Sequence, residues 1–487
     1  MLSNKLKKQS IEEMNTKKLA ERLKDLGEKS LHKPLLNEAL NTEEQISSPE
    51  NKTRVLAEMA VNLFNSGLED LGKDIYEKIL TSSECIEKDS DRAKTLADLG
   101  RTFFDIDKKI SEEFFERATG TAGEISDVEE RIKSITHIAE NKVKIDLIEE
   151  GVQLCEDVYE YALNLAEKEQ KVLPLINIAE VMVEADHFQE SIDICKRARL
   201  LSKDISNENE RCWALGSIGV VYAKSDKIEN AVDIAEMICS EEEGNLPVGE
   251  IMISLAEADE TEKALELIDC ITNKELVDSI LSDIGCKLAK RGRIDEAEYV
   301  KELIDDHEEK EWINKEIAVF KASTGQFFEA IRIAETFIDI DLKILALTEI
   351  AKSLIMKGEE SKLRETIEVI IELSEDSISD SVKVNTVEIL ADTGFLDLAV
   401  DKAREIKTFE EKAIALSYIS SKSDGVTVLP LDFLNTLDSI KDQDIEMNDG
   451  VRDDLKNIAL NLAENKSRKE LVESIDTLHD GIDRWDR

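Results

Sequence analysis

Residues 211–240 read RCWALGSIGVVYAKSDKIENAVDIAEMICS, and the spacing of small and apolar residues in this stretch decides the fold. Leu215, Ile218, Gly219 and Tyr222 fall at helical spacing on one face, and Ala231, Ile234, Ala235 and Ile238 do the same further on. Each set predicts an amphipathic helix. The polar segment KSDKIEN between them predicts a tight turn, so the unit is two antiparallel helices. The unit from Leu276 repeats the plan with Ile284, Gly285 and Leu288, a KRGRIDE turn containing Gly292, then Ala297 and Ile304. The unit from Glu311 gives Ile317 and Ala318, an STGQFFE turn containing Gly325, then Ala330, Ala334 and Phe337.

Ala231, Ala264, Ala297 and Ala330 stand 33 residues apart, and Gly219, Gly285, Ala318 and Ala351 keep the same step with one place skipped. A fixed period of this length marks stacked structural repeats, so the chain reads as an all-α solenoid. Upstream the first-helix small residue recurs at Ala179, Ala139, Gly100 and Ala60 in steps of 39 or 40, with Ala20 a weaker member. The extra six or seven residues per unit are about two helical turns, placed most simply in longer second helices such as Ile145 to Lys168. Downstream the array continues through Leu390, Gly394 and Ala399, is interrupted by SKSDGVTVLPLDF with Gly425 and Pro430, and recovers around Ala459, Leu462 and Leu471, where GIDRWDR fits a polar end cap. The expected organisation is about 12–13 helix pairs: a basic N-terminal cap or degenerate repeat over 1–50, long-period repeats over 51–208, short-period repeats of 33–36 residues over 209–411, and degenerate repeats with a C-terminal cap over 412–487. Units of different length meet near Glu208, a candidate change in superhelix pitch.

Small residues at the Gly219-type and Ala231-type places have a steric reading: two helices approach to about 8 Å only where side chains are small. With Leu215, Gly219, Tyr222, Ala231 and Ile238, and with Asp226, Gly292, Gly325, Gly358 and Gly394 at the turn, the chain resembles the tetratricopeptide repeat family from Arg211 to about Glu410. The second-helix aromatic is replaced at Ala235 and Ala334, and the family's terminal proline is absent. The resemblance implies a right-handed superhelix whose concave groove holds a protein or peptide.

With 63 Lys plus Arg against 108 Asp plus Glu, the formal charge is -45, which repels nucleic acid and anionic lipid surfaces. Only the start is basic: Lys5, Lys7, Lys8, Lys17, Lys18, Arg22, Lys24, Lys29 and Lys33 outnumber the acids there, which suits a solvated terminal helix or, as the alternative, an interaction arm. Seven cysteines, Cys85, Cys155, Cys195, Cys212, Cys239, Cys270 and Cys286, odd in number and without a C-x-x-C pair, predict a reducing compartment and no disulfide framework or zinc ribbon, and Cys155 and Cys195, 40 apart at one repeat-equivalent place, are expected to be core fillers. No secretory h-region follows MLSNKLKKQS, and no apolar run of about 18 residues occurs. The expected location is cytoplasmic.

The sequence shows no catalytic, cofactor or metal motif. His32, His137, His187, His307 and His479 are solitary, and neither H-E-x-x-H nor a glycine-rich phosphate loop is present. Acidic pairs such as EEEG (residues 241–244) and DDHEEKE (305–311) lack calcium-loop spacing and read as helix-surface or turn acids. Acidic runs at Glu241, Asp305, Glu372–Asp380 and Asp438–Asp454 predict a negative edge between units. The family's clamp for a peptide carboxylate is not assembled: Lys315 has a suitable place, but Gly249, Ser282 and Thr348 occupy it in neighbouring units.

Trp213 and Trp312 each precede the small residue by six and stand 99 residues apart, three repeats. In the family that place faces the groove, so the resemblance implies two aromatic anchors; packing against the preceding unit is the alternative. Lys315, with Lys224, Lys290 and Lys352, is expected to line the path between and beyond them, which predicts an acidic amphipathic segment as ligand. The resulting reading is a non-enzymatic scaffold or adaptor; the alternatives are an all-helical repeat enzyme of lyase type and a self-assembling structural protein. Composition leaves the oligomeric state open.

Overall fold

The computed structural model describes residues 32–422 apart from 376 and 378, and over them the chain is helical, with no strand among the described residues. Helix α1 (His32–Glu43) precedes ten helix pairs. They are α2 (Pro49–Asn65) with α3 (Glu69–Glu84), α4 (Asp89–Phe103) with α5 (Lys108–Glu124), α6 (Val128–Val143) with α7 (Ile148–Leu163), and α8 (Lys168–Glu184) with α9 (Phe188–Ser202). Then come α10 (Glu208–Lys224) with α11 (Ile228–Ile238), α12 (Asn245–Glu257) with α13 (Thr261–Glu266), α14 (Lys274–Lys290) with α15 (Ile294–Glu302), and α16 (His307–Ser323) with α17 (Phe327–Glu335). The last pairs are α18 (Ile340–Lys357) with α19 (Glu360–Ser374) and α20 (Asp380–Asp392) with α21 (Leu396–Glu405), followed by α22 (Phe409–Lys422). This is a helical-repeat solenoid. Ala20, the basic segment before His32, all but the first two residues of the SKSDGVTVLPLDF interruption, the 438–454 acids, the final pair around Ala459, the GIDRWDR cap and His479 lie outside the described residues.

The turn inside each pair is a repeated backbone device. Gly67, Asp146, Asp186, Asp226, Asp259, Gly292, Gly325, Gly358 and Gly394 all have positive φ, and they sit between the two helices of nine of the ten pairs. At Asp226 the Lys227 N–H donates to the Tyr222 carbonyl (2.8 Å) and the Asp226 N–H to the Ala223 carbonyl (3.2 Å). The same pair of bonds recurs around Gly292, to Leu288 and Ala289. One left-handed residue thus satisfies two carbonyls that the helix end would leave open. Asp or Gly fills the place because aspartate and glycine tolerate this conformation best.

Many first helices begin on an Asx cap: Asp127, Asn207, Asn273, Asp306 and Asp339 accept the amide hydrogens of α6, α10, α14, α16 and α18. Asp278 in turn accepts from the backbone of Asp305 and Asp306. Acids between units therefore have local structural work, beyond forming a charged edge.

The repeat-marking alanines, Ala231, Ala264, Ala297 and Ala330, are fully buried, as are Cys155 and Cys195. The partner of the first-helix small residue is corrected by the structure. Two antiparallel helices meeting there would be those of one pair, but a Cβ on Gly219 would lie 2.5 Å from Ile251 Cδ1 on the next first helix against 3.4 Å from Ile234 of its own second helix, and a Cβ on Gly285 would collide with Ile313, again one unit on; Gly249, three places before the small-residue place, meets Ile280 in the same way. Only upstream, at Gly100, is the obstructing group Phe115 of the paired helix, at 2.8 Å.

The described chain divides into two compact units. The larger comprises Ser48–Ala57 and Tyr76–Val382. The other combines the residues up to Ser47 with Glu58–Ile75 and those from Lys383 on. In it α1 packs on α22. Leu35, Leu36 and Ala39 are buried on α1, Ala413, Leu416 and Ile419 on α22. Arg404 binds Glu38 through two hydrogen bonds of 3.2 and 3.0 Å, and Ser417 Oγ reaches the Met59 carbonyl at 3.5 Å. An apolar repeat end needs a cover. Here helices from the two ends of the described chain cover each other.

A candidate protein-binding face on the first helices

In the larger unit each first helix from α4 to α18 packs on the next, making an uninterrupted layer. A first helix buried by its pair partner and by two neighbouring first helices keeps one narrow strip of surface. Taking the small residue as origin, the places six and two before it and one and five after it fall within about 60° of each other at 100° per residue. On α10 these are Trp213, Ser217, Val220 and Lys224, partly or well exposed between buried residues. Corresponding strips are Leu173, Asn177, Glu180 and Glu184 on α8, Ser279, Asp283, Cys286 and Lys290 on α14, and Trp312, Glu316, Val319 and Ser323 on α16, where Glu316 alone is buried.

The row six places before the small residue is half-exposed and apolar through the middle of the layer. Leu173 is 48% exposed, Trp213 43%, Leu246 48% and Trp312 44%, with Ser279 between the last two. Trp213 and Trp312 are thus accessible on equivalent faces of α10 and α16. Leu173 and Leu246, which sequence reasoning passed over, share their row and were recoverable from the same offset.

Three of the four lysines are not the open positive points that the sequence suggested. Lys315, 18% exposed in its side chain, donates to Glu316 Oε1 at 2.7 Å, and Lys290 reaches the same oxygen at 3.6 Å. Lys352 pairs with Glu349 at 3.0 Å. Lys224 lies beside Glu180, whose carboxyl is pushed up to about 7 by burial, against the pull of Lys224 and with added repulsion from Glu140 and Glu184. By contrast Glu184, Glu250 and Asp283 are exposed on the same strips, and no ion pair among the described residues engages them. Lys224 is likewise exposed with no ion pair among the described residues, so these three acids outnumber it among the open charges of the strips.

At the α4–α6 contact, His137 is not solitary. Its Nε2 lies 2.8 Å from Asp98 Oδ1, Asn141 Nδ2 donates to the same oxygen at 3.1 Å, and Nδ1 lies 3.7 Å from Glu140. Burial pushes the Asp98 carboxyl up, but the bonds and charge of His137 and the Asn141 bond outweigh it, leaving Asp98 below its usual range. Asp98 and His137 occupy the same repeat place 39 residues apart, so adjacent helices bring them together. This is a cross-unit polar clamp, and among the described residues no group of three or more His, Cys, Asp or Glu side chains is arranged to hold a metal.

A second correction concerns the cysteines. Cys239, just after α11, and Cys270, at the end of a short 3-10 turn after α13, form a disulfide with Cα atoms 4.9 Å apart. Stacking brings the ends of successive second helices together, so cysteines 31 residues apart without a C-x-x-C motif still meet. Cys155, Cys195 and Cys212 are buried free thiols. No described helix is long and apolar enough to cross a membrane.

No protein-family model matches the sequence, and no curated protein matches it. Among solved structures the chain is similar to Ton1535 from Thermococcus onnurineus NA1, at 16% identity over 69% of this chain and 99% of that one with a TM-score of 0.31. It is also similar to the apo form of the quorum sensor NprR from B. thuringiensis, at 11% identity over 66% and 99% with a TM-score of 0.28. A third is a Podosopora anserina putative kinesin light chain with TPR-like repeats, at 16% identity over 43% and 99% with a TM-score of 0.30. None of these overlaps is close enough to transfer a function.

Proposed function

We propose that this protein is a non-enzymatic, tetratricopeptide-like scaffold that holds a protein or peptide segment on its first-helix face. The observation that carries the reading is the apolar row Leu173, Trp213, Leu246 and Trp312, half-exposed at one repeat-equivalent place on a narrow strip whose other exposed positions are mostly polar or charged. Aromatic side chains flanked by polar groups are the usual anchors of such contacts. An acidic ligand keeps only Lys224 as an open positive point, because Lys290 and Lys315 hold Glu316 and Lys352 holds Glu349. The open acids Glu184, Glu250 and Asp283 favour a segment that presents apolar residues together with basic ones.

The test is affinity capture of a stoichiometric partner, followed by titration with Trp213→Ala and Trp312→Ala. Each substitution should weaken the captured partner by about 2 kcal/mol or more and leave helical content and melting temperature nearly unchanged, because both rings are already half in solvent. Lower melting temperatures with unchanged affinity would make the tryptophans packing residues and remove the reading.

A further inference from the structure

One cleft carries charge opposite to the molecule as a whole. It lies between the second helices α9 and α11, is floored by α10, and encloses about 840 Å³. Lys196, Arg199 and Lys203 line it from α9 and its C-cap, Arg211 from α10, and Lys227 from the α10–α11 turn, and its one lining acid is Glu241. That acid hydrogen-bonds Glu208 and raises the Glu208 carboxyl, which the charge of Arg211 pulls the other way.

In a chain with 108 acids, cations normally find carboxylates, as Lys196 does with Asp193 at 2.8 Å. The other four do not. Arg199 Nη2 approaches the Met237 sulfur at 3.1 Å, and Arg211 Nη1 donates to the Ile205 carbonyl at 3.3 Å. No carboxylate pairs with Arg199, Lys203, Arg211 or Lys227 among the described residues. A comparable cleft of about 750 Å³ between α5 and α7 shows the ordinary arrangement, with Lys108 and Lys142 facing Glu112, Glu116 and Glu150, and Lys142 bonded to Glu150 at 2.6 Å. The α9–α11 cleft also has an apolar rim: Leu200 is 66% and Met237 50% exposed.

Four cations without an ion-paired carboxylate, Arg211 alone having the charge of Glu208 nearby, repel one another, and an anion of several charges relieves that repulsion. Planar guanidinium groups suit phosphate or carboxylate oxygens, with lysines adding point charge. We propose that the α9–α11 cleft binds a compact multivalent anion, phosphate- or carboxylate-bearing, whose apolar part rests on Leu200 and Met237. The site faces away from the Trp213 strip of α10, so it is separate from the protein-binding face.

Pyrophosphate and citrate are the probes, titrated calorimetrically at a constant ionic strength of about 0.15 M so that general screening of the chain is held fixed. At least one should bind with Kd below about 1 mM. Binding should weaken about tenfold or more in Arg199→Gln/Arg211→Gln, and similarly in Lys203→Gln/Lys227→Gln, whose exposed side chains leave the fold intact. It should be unchanged in the charge-matched control Lys108→Gln/Lys109→Gln. Binding of pyrophosphate alone assigns a phosphate ligand, of citrate alone a carboxylate ligand, and of both a site that reads charge over shape. Absence of binding by both probes, or equal binding by wild type and all three variants, would overturn the proposal.

Discussion

The pairs up to α9 and those from α10 to α17 are built from first helices of similar length but different second helices. In the upstream group α3, α5, α7 and α9 have 16, 17, 16 and 15 residues; downstream, α11, α13, α15 and α17 have 11, 6, 9 and 9. The close glycine contacts differ accordingly. Upstream, Gly100 and Gly151 admit Phe115 and Val143 of their own pairs; downstream, Gly219, Gly249 and Gly285 admit an isoleucine from the next first helix. A short second helix offers less side-chain surface to its partner, so cohesion passes to the first-helix layer. There, glycine lets successive helices come close. The α9–α11 cleft lies where a 15-residue second helix is followed by one of 11.

The contrast breaks most directly at glycine. Gly285→Leu should cost about 1–3 kcal/mol or more by overpacking, with hydrogen-exchange protection lost in both α14 and α16, and Ile313→Ala in the same chain should recover part of it. Gly100→Leu should instead open α4 and α5 together. Identical patterns from the two variants would mean that the two groups of repeats cohere in the same way.

Glu180 tests the charge side. It faces Glu140 from α6, Glu184 on its own helix, Lys224 from α10 and the buried Cys195 thiol of α9, and its carboxyl is raised from 4.5 to about 7. A folded-state pKa above the unfolded one means that the native state holds the extra proton. Stability from this group is therefore full below about pH 4.5 and declines as pH rises towards 7. The decline should be on the order of 1–2 kcal/mol after allowance for solvent screening. Glu180→Gln should flatten that limb of the denaturation profile, and an unchanged pH slope would show that Glu180 ionises normally.

The smallest effect is expected at the turns, where both groups place Asp or Gly in one left-handed conformation. Gly325 has φ +87° with open space where a Cβ would project, so Gly325→Ala should cost about 1 kcal/mol through backbone strain alone. In the upstream group Asp186→Gly, at φ 60°, should be neutral or stabilising by up to about 1 kcal/mol. Equal and opposite shifts in denaturation midpoint would show that one backbone geometry serves both groups.

The helix pairs, their period and their turns were legible in the sequence because burial on a helix is local. Leu215, Gly219 and Tyr222 share a face whatever lies beyond them, and Asp226 aligned with Gly292, Gly325, Gly358 and Gly394 before any coordinate placed them at positive φ. The same periodicity put Trp213 and Trp312 on equivalent faces. It did not indicate which helix meets Gly285, because the partner depends on how successive units dock. The lysines show this limit most clearly: Lys290 and Lys315 read as open charges in the chain, yet converge on Glu316 from adjacent first helices. Likewise His137 finds Asp98, Cys239 finds Cys270, and Arg404 finds Glu38, 366 residues away. Sequence by itself determined the repeating unit, since helix spacing and left-handed turns are set within about 30 neighbouring residues. Only the tertiary structure decided which charges are neutralised, which cysteines join and what covers the ends, because Coulomb and contact energies depend on distances between units that no single unit encodes.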